Sequence, residues 1–550
     1  MLVLVSASAL GLVTGGGCKK NSVATGGSGG SGAASSVSST TSDATATGTT
    51  GAFSSGSSMG PFSDFPSTPI LDGSAPANSP TLFGAGGSGM PTGGPCLSEP
   101  EIGALFPNNW LRPRFVFAAS GGQNLFEIRL HAASQANDLV VYTTNTTWTM
   151  PKGMWTGLAM HTVDEPIQVT IRGGVLSGGQ LTGGVMIGST GPITIAPASA
   201  SGSIVYWTTS GGSALKGFKV GDESVVTALS PGQVQMPTSG GSVNCVGCHT
   251  STPDGLFASF VAQGPWSNAL ASIQSGNVGA APPFLGAGAQ AFMSSGQPMG
   301  IHSYSKAHWT SGDHTMVSPL GDSPNSKLIW VDLEAANAGS ASGEIARQGD
   351  PNGVGAPAWS HDGKTIVYVS TNAELTGRLD NGIGQLMTVP YNNRMGGAAT
   401  PVPGASDSAY EQYYPAITPD DRFIAFNRIP TGNNMYNDPL AELYVIPFAG
   451  GTPVRLAAND PPACSGKTSP GVTNSWPKWA PEAGTGPKGT YYWLVFSSQR
   501  TGNPQLFITG VIVASDGSVT TFPSIYLWNQ IAAENNHTPA WDVFDIPSPM

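Results

Sequence analysis

The chain has 550 residues, of which 10% are Asp, Glu, Lys or Arg, 75 are Gly and 45 are Pro, and its formal net charge is -11. That length holds two or three self-supporting cores, and the Gly- and Pro-rich, charge-poor composition predicts turn-rich all-β architecture rather than long charged helices. With 22 Lys and Arg against 33 Asp and Glu, the surface cannot assemble the basic face that phosphates require, which excludes a nucleic-acid partner.

Residues 1–17 read as an export signal. Leu2 to Val13 form an apolar run too short to span a bilayer, followed by Gly15-Gly16-Gly17 and Cys18. The pattern resembles a bacterial lipoprotein signal, which implies cleavage before Cys18 and lipidation of that cysteine. Two departures stand out: no Lys or Arg precedes the apolar run, and Gly15 occupies the place three residues ahead of Cys18 where Leu is usual. An ordinary secretory signal, with Cys18 incidental, is the alternative. Both readings export the protein, either to the periplasmic or outer-surface side of the cell envelope on a lipid anchor, or as a secreted protein. No later run approaches ~20 uninterrupted apolar residues, so the anchor is the predicted membrane contact.

Residues 18–95 are rich in Ser, Thr, Gly, Ala and Pro, and beyond Lys20 carry three charges, Asp43, Asp64 and Asp72. The composition predicts a disordered tether, which as a coil of ~75 residues spans on the order of 50 Å. From Cys96 alternating runs return: Arg114 to Phe117, Leu125 to Leu130, Leu139 to Tyr142 and Ile167 to Ile171. Their spacing predicts a β-sandwich of fibronectin or immunoglobulin type over residues 96–200.

Residues 201–550 repeat a Pro-x-Trp-like strand start at Pro357-Ala-Trp359, Pro415-Ala-Ile417, Pro477-Lys-Trp479 and Pro539-Ala-Trp541, at intervals of 58, 62 and 62 residues. A period of this size with several short strands per unit marks propeller blades. Trp359-Ser-His-Asp-Gly363 and Ile417-Thr-Pro-Asp-Asp421 place an acidic turn before an alternating strand, and Leu443-Tyr-Val445 precedes the Gly450-Gly451 turn. These residues resemble the Trp-Ser-Pro-Asp-Gly repeats of TolB-type six-bladed propellers. Acidic turns near 254, 313, 362, 420, 482 and 542 give six units, the second starting near His308; five to seven blades fit the pattern.

Five cysteines divide into Cys18, the pair Cys245 and Cys248, and Cys96 with Cys464, which an oxidising compartment lets pair as a disulfide. Cys245-Val-Gly-Cys248-His249 has the form of a c-type haem attachment site: two thiols three apart for the vinyl groups, and an adjacent imidazole for the iron. The predicted cofactor is one covalent haem c, with His249 as proximal ligand. Met299 and His302 are the candidate distal ligands, because the apolar stretch from Gly279 to Gly300 reads as a cover over the haem. A second Cys-x-x-Cys, as zinc would need, is absent from the sequence.

Three functions fit. In the first, a monohaem electron-transfer protein uses the propeller to dock a redox partner or cell-envelope protein. In the second, a cell-surface binding scaffold carries Cys245 and Cys248 as a disulfide. In the third, an oxidoreductase passes electrons from a substrate in the propeller channel to the haem. The sequence holds no nucleophile elbow, His-Glu-x-x-His helix or phosphate loop, so a hydrolase or transferase is not predicted.

Overall fold

The computed structural model describes residues 61–234, 243, 245–263, 267–295, 301–321, 324–373 and 379–547. The chain is all-β, as its composition predicts.

The first part contains two sheets. One runs in the order Ile70–Asp72, Leu139–Thr143, Leu125–His131, Pro166–Ser177, Gln180–Ile195 and Leu105–Phe106, and the other comprises Cys96–Glu99, Arg114–Ala118 and Thr147–Thr149. Phe115 and Phe117 alternate with the more exposed Arg114 and Val116, and the Phe117 ring meets Phe126 of the larger sheet at 5.0 Å. This is the alternation expected of strands buried on one face. Two pairings are parallel, Ile70–Asp72 with Leu139–Thr143 and Leu105–Phe106 with Gln180–Ile195, so the connectivity departs from a purely antiparallel sandwich.

The predicted tether is too long, because residues 61–95 belong to the folded part. Phe62 exchanges backbone hydrogen bonds with Ser134 and Ala136, Ile70–Asp72 adds a strand to the sheet edge, and Phe65 and Phe83 are 1% and 2% exposed. A few well-spaced apolar anchors were enough to order a segment whose average composition reads as coil. Its first 42 residues, 19–60, and Cys18 lie outside the described residues.

The two regions also share a core. Phe106, Trp110 and Ile193 pack in one cluster with Ile204, Trp493, Ile508 and Trp541. Cys96 and Cys464 are disulfide-bonded with Cα atoms 5.7 Å apart, joining the smaller sheet to a loop 368 residues away.

From residue 203 seven sheets follow among the described residues: the two-stranded parallel pair of Ala346–Gln348 with Gly396–Ala398, and six larger ones in chain order. The first sets Ser203–Thr208, Ala214–Lys219 and Val226–Leu229 beside the last strand of the chain, Asn536–Asp542. The second is Gly247–Ser251, Phe257–Gln263 and Ser267–Ser272. The third is Thr315–Leu320, Lys327–Asp332 and Ser342–Glu344, with Ser303 bridged to Val317 at its inner side. The fourth begins at Gly353–Trp359, the fifth at Tyr410–Ile417 and the sixth at Asn474–Trp479. The innermost strands pack side by side, Gly353–Trp359 on Tyr410–Ile417, that strand on Asn474–Trp479, and so on to Asn536–Asp542 and Gly247–Ser251. Trp309 Nε1, donating to Asp254 at 2.9 Å, joins the segment ahead of the third sheet to the second.

One unit is offset from its sequence assignment. His308 lies in the helix Lys306–Thr310, not at a strand start, and the inner segment of the third sheet is Ile301 to Tyr304.

Candidate functional site

The inner strands share one local distortion. Ala356, Tyr414, Trp476 and Thr538 all have positive φ (39°, 50°, 55° and 42°), and each precedes a proline. The ladder shifts register there, between Gly355 and Ala358, Tyr413 and Ala416, and Ser475 and Lys478. Proline cannot donate to the neighbouring strand, so pairing breaks, and the bulge turns successive side chains toward the ring axis.

In the second sheet the same shift falls between Gly247 and His249. Cys248 stands six residues ahead of Asp254, as Ala356, Tyr414 and Trp476 stand six ahead of Asp362, Asp420 and Glu482. Cys248-His249 therefore occupies the place of the X-Pro pair in the other units. In the third sheet Ile301-His302 takes that place, six residues ahead of Ala307.

Cys248 and His249 border an aromatic cavity whose walls include Trp207, Tyr414, Tyr436 and Trp476. Its free space is about 40 Å³, enough for a few waters and far less than a porphyrin. His249 is 8% exposed; its Nε2 donates to the Val205 carbonyl at 3.1 Å, and its Nδ1 has no partner among the described residues. Burial pushes this imidazole down to about 4, overriding the Val205 hydrogen bond that favours protonation. It is neutral at pH 7 with the Nδ1 lone pair free. Burial likewise pushes the Cys248 thiol up to about 11, so it is protonated.

The two motif sulfurs point to different places. Cys245 is 3% exposed, packs in the core between the first and second sheets, and lies 3.5 Å from Ser213 Oγ. It is disulfide-bonded, whereas Cys248 is a free thiol, so the Cys245–Cys248 disulfide of the scaffold alternative is not formed. The bulge at Cys248 is the physical cause: it rotates that side chain toward the axis, while Cys245 keeps the inter-sheet direction. The donor set thus suits a covalent haem in kind, with a neutral imidazole bearing a free nitrogen beside a thiol. It does not suit one in placement, because Cys245 and the free space are on the wrong side or too small.

Of the distal candidates, Met299 lies outside the described residues. His302 is 3% exposed and borders a second cavity at the mouth of the ring, not the one bordered by Cys248 and His249. The apolar stretch predicted to cover the haem instead contains the helix Ala287–Ser294, whose Met293 is buried in the core of the second and third sheets.

Two residues at the axis were missed from the sequence. His537 is 7% exposed, with its ring 4.7 Å from Trp207 and 5.3 Å from Trp476, and burial pushes it down to about 4. Lys478 borders both cavities. Its signal was present, since it holds the middle place of Pro477-Lys-Trp479 where the other three Pro-x-Trp-like units carry Ala. Among the described residues no group of three or more His, Cys, Asp or Glu is placed to hold a metal, and no helix is long and apolar enough to cross a membrane.

No family model matches the chain, and no curated protein matches it significantly. Three solved structures share parts of its architecture. An ancestral GH74 enzyme aligns at 10% identity and TM-score 0.36 over 60% of this chain and 39% of that one. The hydrazine synthase of Kuenenia stuttgartiensis aligns at 13% identity and TM-score 0.30, over 58% and 90%. A puromycin-hydrolysing peptidase of Mycobacterium tuberculosis aligns at 12% identity and TM-score 0.22, over 62% and 43%. The chain spans about two fifths of the length of the first of these. At such scores none bears on function.

Proposed function

We propose that the six sheets form a six-bladed β-propeller of the kind the Trp-Ser-Pro-Asp-Gly repeats resemble. On this reading the chain is an exported monohaem c-type protein, lipid-anchored through Cys18, that exchanges electrons with a redox partner at the cell envelope. The observation that carries the reading is the Cys245-Val-Gly-Cys248-His249 spacing, supported by a neutral His249 with an unpartnered ring nitrogen beside the Cys248 thiol. The haem supplies a one-electron couple. The protein's part is to hold the macrocycle through Cys245 and Cys248, ligate through His249, and present a rigid β surface to the partner.

To hold a haem, residues 245–249 would have to differ from the arrangement described above: Cys245 would have to leave the inter-sheet core, and His249 would have to release Val205 were Nε2 the ligating atom. The separation of the two sulfurs favours a second reading, the binding scaffold without haem, in which Cys245 keeps its disulfide.

Expression in a host that matures c-type cytochromes, followed by a pyridine haemochrome spectrum and intact mass, separates the two. Covalent haem in the wild type and its loss in the double variant Cys245→Ala with Cys248→Ala supports the first. A haem-free mass with no haemochrome band refutes it and leaves the scaffold.

A further inference from the structure

We propose that the mouth of the ring is a binding site for a small carboxylate or similar oxyanion, held by the Lys478 ammonium with the His302 imidazole as a second donor. The site stands apart from the haem reading: neither residue belongs to the Cys-x-x-Cys-His motif, and His302, a distal-ligand candidate by sequence, borders the mouth cavity and not the one beside His249.

The placement of Lys478 is the first argument. Two residues after each bulge, the inner segments carry Thr250, Ser303, Ala358, Ala416, Lys478 and Ala540. Five are short, and one carries a four-carbon stem with a charge at its end. Short side chains leave the axis open, and the cavity they leave at the mouth has about 170 Å³ of free space, room for a ligand of a few heavy atoms. Lys478 also borders the inner aromatic cavity, so its side chain stands between the mouth and Cys248-His249.

Its lack of a partner is the second. Lys478 forms no ion pair or side-chain hydrogen bond among the described residues, in a chain where acidic groups outnumber basic ones. Burial pushes its amine below the ordinary lysine value, with the nearby Asp542 acting the other way. A desolvated, unpaired ammonium costs stability. A bound anion removes that cost.

The second donor is an independent observation. His302, 97% buried by its 3% exposure, lines the same cavity, and its Nε2 has no partner among the described residues. None of the other ionisable groups at the mouth forms an ion pair with Lys478 among the described residues, although Asp542 attracts its charge. His361 is bonded to Asp421 at 2.8 Å, Asp542 accepts from its neighbour's amide Val543 N at 2.8 Å, and Lys306 and Glu482 complete the rim. Asp542 is the group an anion must sit beside, and burial raises its carboxyl toward the neutral form, which lessens the repulsion.

The test is isothermal titration calorimetry of purified protein with acetate and, as its neutral isostere, acetamide. Saturable acetate binding at one site, with acetamide at least tenfold weaker, is expected. Lys478→Met is expected to weaken acetate at least tenfold while keeping or raising the melting temperature in anion-free buffer, since it removes an unpaired charge and keeps the stem. Equal affinities for acetate and acetamide, no saturable acetate binding, or unchanged binding in Lys478→Met overturns the proposal. If Lys478→Met does not fold, Ala358→Leu decides: it fills the mouth from the wall of the fourth sheet and leaves the lysine, so loss of acetate supports the site and unchanged affinity overturns it.

Discussion

Glu101 makes the stability of this fold fall as pH rises toward neutrality. It sits 7% exposed at the junction between the first two sheets and the sixth sheet of the ring. Its Oε1 accepts from Arg500 Nη1 at 3.0 Å and from Ser524 Oγ at 2.8 Å, while Arg500 also donates to the Ala458 carbonyl and to Asn474 Oδ1. Burial raises the carboxyl from 4.5 to about 7, outweighing the attraction of Arg500. Between those two values the folded protein binds a proton that the unfolded chain has released. The contribution is therefore fully present below pH 4.5, is lost as pH climbs to about 7, and is flat above. At about 1.36 kcal/mol per unit the loss is about 3 kcal/mol. For a fold of this size the unfolding entropy is about 1 kcal/mol/K, so the melting temperature moves by roughly 3 °C. Melting curves of wild type and Glu101→Gln from pH ~5 to ~8 isolate the effect, because other titrating groups cancel in the difference. If the two proteins show the same slope, burial does not control this carboxyl and the reasoning is wrong.

Trp541 closes the ring from the last strand: it is 3% exposed, donates from Nε1 to the Ser201 carbonyl at 2.8 Å and packs against Trp110. Trp541→Ala is expected to cost ~3–5 kcal/mol in urea unfolding, and a loss under ~1 kcal/mol removes that strand from a structural role. The Cys96–Cys464 bond constrains a separation of 368 residues, so Cys96→Ala with Cys464→Ala is expected to lose ~2–5 kcal/mol, read as a lower melting temperature than the wild type's under non-reducing conditions. In protein produced without haem, Cys248 is half-buried with its thiol pushed up to about 11, so Ellman's reagent is expected to react slowly in native buffer and rapidly in denaturant. Rapid native reaction contradicts the closed cavity.

The period of the Pro-x-Trp units and their acidic turns was readable because each unit buries the same faces against its neighbours, which constrains the same positions every time. Hence strands such as Thr365–Thr371 and Glu442–Pro447 lie where alternation predicts them. The second predicted unit, now the third sheet, was misread because the helix Lys306–Thr310 separates its inner segment from Asp313, so the acidic residue no longer marks the turn. Residues 61–95 were misread for a different reason: ordering there depends on Phe65 and Phe83 finding partners far along the chain, and local composition carries no such information. At the axis, Cys248 and His249 were found as a motif. That Lys478 and His537 join them follows only from the bulges, which alternation cannot reveal.

The bulge also reframes the motif. Four inner strands place a residue of positive φ and then a proline at the point where the ladder breaks; the second sheet places Cys248 and His249 there. The backbone needs a break at this point whatever chemistry the residues perform, and it turns Cys248 and His249 toward the axis for the same reason it turns Tyr414 and Trp476. Cys245 is outside the bulge, ahead of the strand Gly247–Ser251, and packs in the core with Val246 and Trp207. Fold and haem therefore agree on two of the three motif residues and compete for the third. A chain in which Cys245 alone is replaced by Ala separates these demands. Under the haem reading it attaches the macrocycle through Cys248 only, with weaker covalent yield but an unchanged ring. Under the scaffold reading it loses a disulfide and stability and shows no haem at all.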